Sequence, residues 1–259
     1  RHSTSGSYYI LDLESKKIEP LTKKNIELRN VKFSPNSKYI SYVRQNNNLY
    51  IFDIENRKEK RLTSSGGHDV LNGHFGWLYE EELTGYDGYR WSPDSKTIAF
   101  WEEDQSKVDE YILVDHLKKY PKVHTLKYPK VGEINPTLRI GVVRVSGSVR
   151  KWIDGAVVDN DYMPWMKWID ENNLSFLKLS RDQKTSHLYI ANRKTGKTKL
   201  ILTEQDHEGW IDNHGEIYFI NENLICFLSE KSKYKHIWMM NYQSLDSWQI
   251  TAGDWEVKS

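Results

Sequence analysis

The chain has 259 residues, a length that suits one large domain with a sizeable core. Its 37 Lys and Arg residues balance 36 Asp and Glu residues, so a formal net charge of +1 gives no case for binding nucleic acid or an anionic membrane surface. The single cysteine, Cys226, excludes an intrachain disulfide, and no apolar run approaches the roughly 18–20 residues of a transmembrane helix.

A short pattern recurs four times along the chain. Each copy has an aromatic strand end, a polar turn and then an alternating strand, and an aromatic fraction of 13% fits such half-buried β-strands. Pro and Asn or Asp in the turns favour tight reversals, because Pro presets φ and Asx side chains bond their own backbone. The copies are Phe33–Tyr42, Trp91–Phe100, Trp168–Phe176 and Phe219–Phe227.

A second pattern follows three of these copies: an apolar strand, a polar turn, a charged strand and a final Leu-Thr or Ile-Thr. It occurs at Tyr50–Thr63, Tyr189–Thr203 and Trp238–Thr251, and alone at Tyr9–Thr22. The two patterns, recurring in this order, predict an all-β fold: a partial β-propeller of about four four-stranded blades plus a leading half blade. Two insertions are predicted, Gly73–Gly88 and from about Val108 to Trp165; a sandwich or a solenoid of hairpins fits the repeats less well.

The first insertion contains the one clear helix candidate, Trp77–Leu83, which carries Glu80, Glu81 and Glu82 in a row. Three adjacent Glu residues are most often a solvated helix face. An insertion between blades is also where a functional loop is expected, and apolar residues flank the acidic run.

Signatures of catalysis and metal binding are absent from the sequence. There is no Gly-x-Ser-x-Gly elbow, no His-Glu-x-x-His, no cysteine pair and no phosphate-binding glycine loop, and the nine His residues are scattered. We therefore predict no catalytic residue, no metal and no cofactor in this chain.

The acidic helix resembles the Asp-Trp-Val-Tyr-Glu-Glu-Glu segment of the dipeptidyl peptidase IV family in the prolyl oligopeptidase clan. Further strings resemble the same family and follow its order across nearly the whole chain. They are Arg1–Ser3 with Tyr9–Leu13, Trp91–Ser95, Tyr128–Gly132 with Asn135–Thr137, and Gly253–Val257.

This resemblance implies that residues 1–259 are a fragment of the family's eight-bladed propeller. The Ser, Asp and His of catalysis would lie in an α/β-hydrolase domain that is not in this chain, so the chain alone should be inactive. The resemblance also implies that Glu81 and Glu82 hold the free α-ammonium of the substrate and that Arg1 contacts a substrate carbonyl. Glu80 would point to a structural partner instead.

The implied substrates are peptides with a free N-terminus and Pro or Ala as the second residue. A carboxylate pair suits an exopeptidase, because a blocked or extended N-terminus would leave both carboxylates desolvated and unpaired. Because adjacent helical residues diverge by about 100°, Glu81 and Glu82 can converge only at an irregular helix end.

Partners and location are expected from the same resemblance. The partners are the hydrolase domain of the parent chain and a second copy in a homodimer, since the family places an inter-subunit arm near Val108–Tyr120; an ordinary outer strand there is an equal alternative. One cysteine and one glycosylation sequon favour a bacterial periplasmic or envelope protein over an animal secreted one.

Other functions stay open on the sequence alone. The chain could be a non-catalytic interaction propeller, or belong to a tripeptidyl or acylaminoacyl peptidase. The family often places an aromatic residue and an Arg after a Gly-Trp in a later blade, and the segment at Gly209-Trp210 has no equivalent. The extended substrate subsites therefore differ from the family pattern.

Overall fold

A computed structural model describes residues 5–22, 26–147, 150–212 and 215–258 of the chain. Within these ranges the chain forms twenty-two β-strands and one short α-helix, so the all-β prediction is confirmed. No helix in the described ranges is long and apolar enough to span a membrane. The chain divides into two compact units, residues 1–152 and 153–259, and the assignment of all 259 residues to one propeller domain stays a prediction.

The first sheet and the leading hairpin occupy the start of the first unit. Their strands are β1 (Ser5–Gly6), β2 (Tyr9–Leu11), β3 (Ile18–Pro20), β4 (Leu28–Phe33), β5 (Tyr39–Arg44), β6 (Leu49–Asp53) and β7 (Lys58–Arg61). The sheet is antiparallel with the order β1-β4-β5-β6-β7, one strand more than predicted. In the part of the chain that the structure describes, β2 and β3 form a two-stranded sheet, as expected for the half blade.

The second sheet shows that the second insertion was predicted too long. The elements are β8 (Val70–Asn72), α1 (Trp77–Glu82), β9 (Tyr89–Trp91), β10 (Thr97–Asp104), β11 (Glu110–Asp115), β12 (Lys122–Lys127), β13 (Thr137–Arg144) and β14 (Arg150–Val158). The sheet order is β14-β13-β10-β8, with β9 also paired to β10. Strands β13 and β14 thus belong to the sheet, and only the β11–β12 hairpin separates them from β10.

The second unit contains two four-stranded antiparallel sheets, β15-β16-β17-β18 and β19-β20-β21-β22. Their strands are β15 (Tyr162–Trp168), β16 (Asn173–Leu179), β17 (Thr185–Asn192), β18 (Thr198–Gln205), β19 (Ile217–Phe219), β20 (Leu224–Ser229), β21 (His236–Asn241) and β22 (Ser247–Gln249). Cys226 on β20 is half-buried rather than buried as its apolar neighbours suggested. Burial raises the pKa of its thiol, which fits an inert cysteine.

The polar turns of the first two repeats form the same hydrogen bonds. The Asn36 Oδ1 accepts the Ser34 hydroxyl at 2.8 Å and the Lys38 N–H at 3.1 Å. In the second repeat, the Asp94 Oδ1 accepts the Ser92 hydroxyl at 2.6 Å and the Lys96 N–H at 3.1 Å. The Asx side chain therefore closes each turn by satisfying backbone groups, as its position in the sequence predicts.

The Thr of the Leu-Thr pattern has a structural explanation. The Thr63 hydroxyl accepts the N–H of Leu49 at 2.9 Å, and the Thr251 hydroxyl accepts the N–H of Ile237 at 3.0 Å. Each Thr therefore ties the end of the outermost strand to the start of the strand before it. A buried backbone donor is satisfied in this way, which accounts for the recurrence of the residue.

Candidate functional site

The acidic helix lies in the segment between β8 and β9, whose two ends meet. The Gly73 N–H donates to the Trp101 carbonyl at 3.0 Å, and the Gly88 N–H donates to the Gly73 carbonyl at 3.2 Å. A Cβ on Gly88 would lie only 2.5 Å from the carbonyl carbon of Gly73. This close approach requires glycine and closes the segment into a loop over β10.

Two side chains from β4 hold the base of this loop. Asn30, at a positive φ of 52°, donates its amide to the Tyr86 carbonyl at 2.8 Å and to the Gly73 carbonyl at 3.2 Å. The Lys32 ammonium contacts the Asp87 carboxylate at 2.6 Å. Burial lowers the pKa of Lys32 to about 8, although the charge of Asp87 opposes that shift. The loop is thereby fixed to the neighbouring sheet at both ends.

The helix α1 packs through its aromatic side chains. The buried ring of Tyr79 stacks on Phe75 with centroids 5.0 Å apart, and Phe75 lies 5.2 Å from Trp101 of β10. The ring centroid of Trp77 lies 4.1 Å from that of Tyr128. The predicted helix is confirmed, with Leu83 as its C-cap rather than its last residue. These apolar contacts anchor the helix, as the flanking residues suggested.

The three glutamates of the helix have different surroundings. Glu80 is only 5% exposed, whereas Glu81 and Glu82 are exposed. The helix ends at Glu82, and Leu83 (φ −120°) and Thr84 (φ +50°) leave helical geometry directly after it. The exposed pair thus occupies an irregular helix end, the place where two adjacent carboxylates can approach one ligand.

The predicted Arg1 lies outside the described residues, so the structure does not place it beside the acidic pair. In the described ranges no group of three or more His, Cys, Asp or Glu side chains could hold a metal ion. Glu81 and Glu82 on their anchored helix offer only acceptors to a ligand. The chemistry that suits them is binding of a cationic group with several N–H donors, such as an ammonium.

One carboxylate beneath the helix was not predicted from the sequence. Glu103 of β10 is fully buried; its Oε2 accepts the Gly76 N–H at 3.0 Å and its Oε1 accepts the Gln105 amide at 2.5 Å. Burial first, and the charge of Glu80 in addition, raise the pKa of Glu103 to about 7, against the effect of its two hydrogen bonds. One signal in the sequence could have pointed to it. The family segment begins with Asp, whereas this chain has Gly76 there, so the carboxylate at the start of the helix has to come from another residue.

His74, at the start of the loop, is a buried neutral imidazole. Its Nδ1 lies 3.2 Å from the Arg29 guanidinium, and its Nε2 lies 2.9 Å from Oδ1 of Asn47. Since guanidinium only donates, Nδ1 accepts and Nε2 carries the proton. Burial and the nearby Arg29 charge lower the pKa of His74 to about 3. This imidazole therefore links the loop to β4 and to the turn between β5 and β6, and it carries no charge near neutral pH.

The pKa shifts of Glu103 and His74 predict opposite pH dependences of stability. Glu103 has a folded pKa of about 7 against 4.5, so the native state binds more protons and the free energy of unfolding falls as pH rises through that window. His74 has a folded pKa of about 3 against 6.5, so the free energy of unfolding falls as pH drops below about 6.5. Between pH 5 and 6.5 the two contributions oppose each other, so denaturant unfolding should show the free energy of unfolding of Glu103→Gln rising with pH more steeply than that of the wild type. An unchanged slope would contradict the prediction.

Comparison with protein families gives a match over the whole chain. Residues 1–259 match the family described as the dipeptidyl peptidase IV (DPP IV) N-terminal region. The curated dipeptidyl peptidase 4 of Trichophyton rubrum is 28% identical over 99% of this chain, which spans 35% of that protein. The probable dipeptidyl peptidase 4 of Arthroderma benhamiae gives the same values. The chain thus spans about a third of the length of the curated relatives that it matches.

Solved structures agree with the fold. The crystal structure of Porphyromonas gingivalis dipeptidyl peptidase 4 matches all of this chain with a TM-score of 0.90 and 28% identity, over 37% of its own length. A putative dipeptidyl aminopeptidase IV from Bacteroides ovatus matches 98% of the chain with a TM-score of 0.81 and 19% identity, over 38% of its own length, which supports the fold alone. The prediction of a propeller-type, all-β fold is confirmed.

Proposed function

The chain belongs to the dipeptidyl peptidase IV N-terminal region family, and on that premise we propose that it anchors the free N-terminus of peptides in a serine-type dipeptidyl peptidase. The relatives it matches carry dipeptidyl peptidase names, which supports a peptidase parent. In this proposal the Ser, Asp and His of catalysis belong to an α/β-hydrolase domain of the same parent chain. The substrates are peptides with Pro or Ala in second position.

The observation that carries the proposal is the exposed Glu81–Glu82 pair at the end of a helix whose other face is buried. Aromatic stacking and the Asn30 and Lys32 contacts fix that helix to the sheets. Binding an ammonium therefore costs little further ordering of the protein, and preorganisation of this kind favours affinity. An anchored carboxylate pair measures a fixed distance from the peptide's N-terminus to the scissile bond.

The test uses the full-length protein and two chromogenic substrates, Gly-Pro with a free amine and its N-acetylated twin. We expect hydrolysis of the free form and at least a hundredfold lower kcat/KM for the acetylated form. The acetylated substrate would leave Glu81 and Glu82 without a positive charge to pair with. Equal hydrolysis of the two would favour an acylaminoacyl or endopeptidase. Hydrolysis of neither would favour the non-catalytic interaction propeller.

We propose further that the β11–β12 hairpin joins two copies of the parent protein. In support of this proposal, the hairpin forms a two-stranded sheet of its own and does not extend one of the larger sheets. Several of its apolar side chains are exposed: Ile112 is 61%, Val123 63% and Leu117, in the turn, 95% exposed. Such a patch on a long exposed hairpin is typical of an association surface. A periplasmic or envelope location stays a prediction.

The hairpin proposal predicts a change of mass. Ile112→Asp with Val123→Asp in the full-length protein should convert a dimer to a monomer by light scattering, since each change places a charge in an apolar contact. Glu55→Gln, at an exposed position in the turn between β6 and β7, serves as the control and should leave the mass unchanged. A monomeric wild-type protein, or a dimer that survives both changes, would contradict the proposal.

A further inference from the structure

The backbone at the start of α1 is held by a side chain from the sheet beneath it. Gly76 is the N-cap of the helix and has no side chain with which to cap it. Its N–H donates instead to the Glu103 carboxylate at 3.0 Å. A Cβ on Gly76 would lie 1.7 Å from the Gln105 amide nitrogen, so a side chain at this position would require Gln105 to move.

The surroundings of Glu103 make this contact a strong one. Its partners across the ladder are Leu71 and Leu138, which are both buried and apolar. Of the described groups that shift its ionisation, Gly76 and Gln105 donate hydrogen bonds, and Glu80 of α1 is the titratable one. A carboxylate in such a site binds an N–H more tightly than a neutral acceptor does, because the surroundings screen the charge poorly.

We propose that Glu103 is a positioning residue that holds the start of α1 and thereby orients Glu81 and Glu82 toward the substrate ammonium. This inference rests on the proposed function of that pair. The helix has only six residues, so a shift of its start moves its end by a similar distance. Glu103 touches no substrate in this arrangement and acts only through the helix.

The proposal also links the pair to pH. Burial and Glu80 raise the pKa of Glu103 to about 7, so its charge changes near neutrality. The ionised form adds a negative charge beside the start of α1 and strengthens the bond to Gly76. Ammonium binding and ionisation of Glu103 should therefore favour each other.

Two variants of the full-length protein test the inference on the free Gly-Pro substrate. Glu103→Leu removes the acceptor, and we expect KM to rise roughly tenfold or more with a smaller change in kcat, the scale of a hydrogen bond to a charged group. Glu103→Gln keeps an acceptor for Gly76, and its amide can pair with a flipped Gln105, so it should rescue KM at pH 6. A Leu variant with wild-type KM, or a Gln variant as poor as Leu at pH 6, would overturn the proposal.

The pH profile supplies a readout that a purely structural role would not move. The ratio of kcat/KM between wild type and Glu103→Gln should rise from about one at pH 6 to about threefold at pH 8. Ionisation of the substrate amine and of the catalytic groups affects both proteins equally and so cancels in this ratio. A flat or falling ratio would refute the charge coupling. If Glu81→Gln and Glu82→Gln lose activity while Glu103→Leu does not, only this inference fails; if all keep activity, the proposed function fails.

Discussion

Replacing Glu81 or Glu82 by Gln in the full-length protein is expected to lower kcat/KM for the free Gly-Pro substrate by roughly tens- to thousands-fold. Breaking a desolvated charge pair costs about 2–5 kcal/mol, and each 1.36 kcal/mol of activation free energy is a factor of ten. Gln keeps the size of Glu and removes only the charge. The loss therefore reports the ammonium contact and not a change in packing.

The size of the loss also reports the environment of the bound ammonium. Both carboxylates are exposed in this chain. If they stayed in contact with water when the peptide binds, the pair would contribute about 1 kcal/mol or less, a loss of roughly fivefold. A larger loss requires that the substrate and the rest of the parent protein exclude water from the site. A measured loss below fivefold would contradict the binding of the ammonium by Glu81 and Glu82.

Glu55→Gln is the matched control for this experiment, since it is the same change at an exposed turn. It should leave kcat/KM unchanged. The acetylated substrate gives a second comparison: the Gln variants should lose little on it, because that substrate has no ammonium to bind. Equal losses on both substrates would mean that the variants disturb the fold or the catalytic step.

Features that depend on local chemistry could be predicted from the sequence. The Ser-Pro-Asn and Ser-Pro-Asp turns close through their own side chains, and the Thr of the Leu-Thr pattern bonds a backbone N–H within the same sheet. The apolar residues Leu78 and Tyr79 beside the glutamates predicted an anchored helix, and both are buried. The convergence of Glu81 and Glu82 on one ligand is implied by the family resemblance and stays a prediction.

Features that depend on distant partners could not be predicted. Glu102 and Glu103 suggest the exposed end of a strand, yet both are buried. Glu102 pairs with Arg139, which lies on β13 in a segment that we took for part of an insertion. Glu103 meets Gly76, which lies 27 positions earlier in the chain. Burial of a charge is decided by such partners, and no local pattern contains them.

Truncating Phe100 to Ala is expected to lower the free energy of unfolding by about 3–5 kcal/mol, the range for large buried aromatic residues. Phe100 is fully buried in a core cluster of the first unit, with Val43, Leu49 and Ile98 among its members. Its loss leaves a cavity between two sheets. Phe33→Ala is the matched control, because Phe33 also lies on a strand but is 58% exposed. Denaturant unfolding followed by Trp fluorescence measures both, and equal effects would contradict the assignment of Phe100 to the core.

The residue opposite Phe100 makes the prediction sharper. Gly141 pairs with Phe100 across β10 and β13, and a Cβ there would lie 2.8 Å from the Phe100 ring and 2.9 Å from Trp152. Gly141→Ala alone should therefore cost about 1–3 kcal/mol through overpacking. In the Phe100→Ala background the contact with Phe100 is removed and the contact with Trp152 remains, so the same change should cost less than in the wild type. If the two changes are additive in this double-mutant cycle, the Phe100 ring does not fill the space beside Gly141.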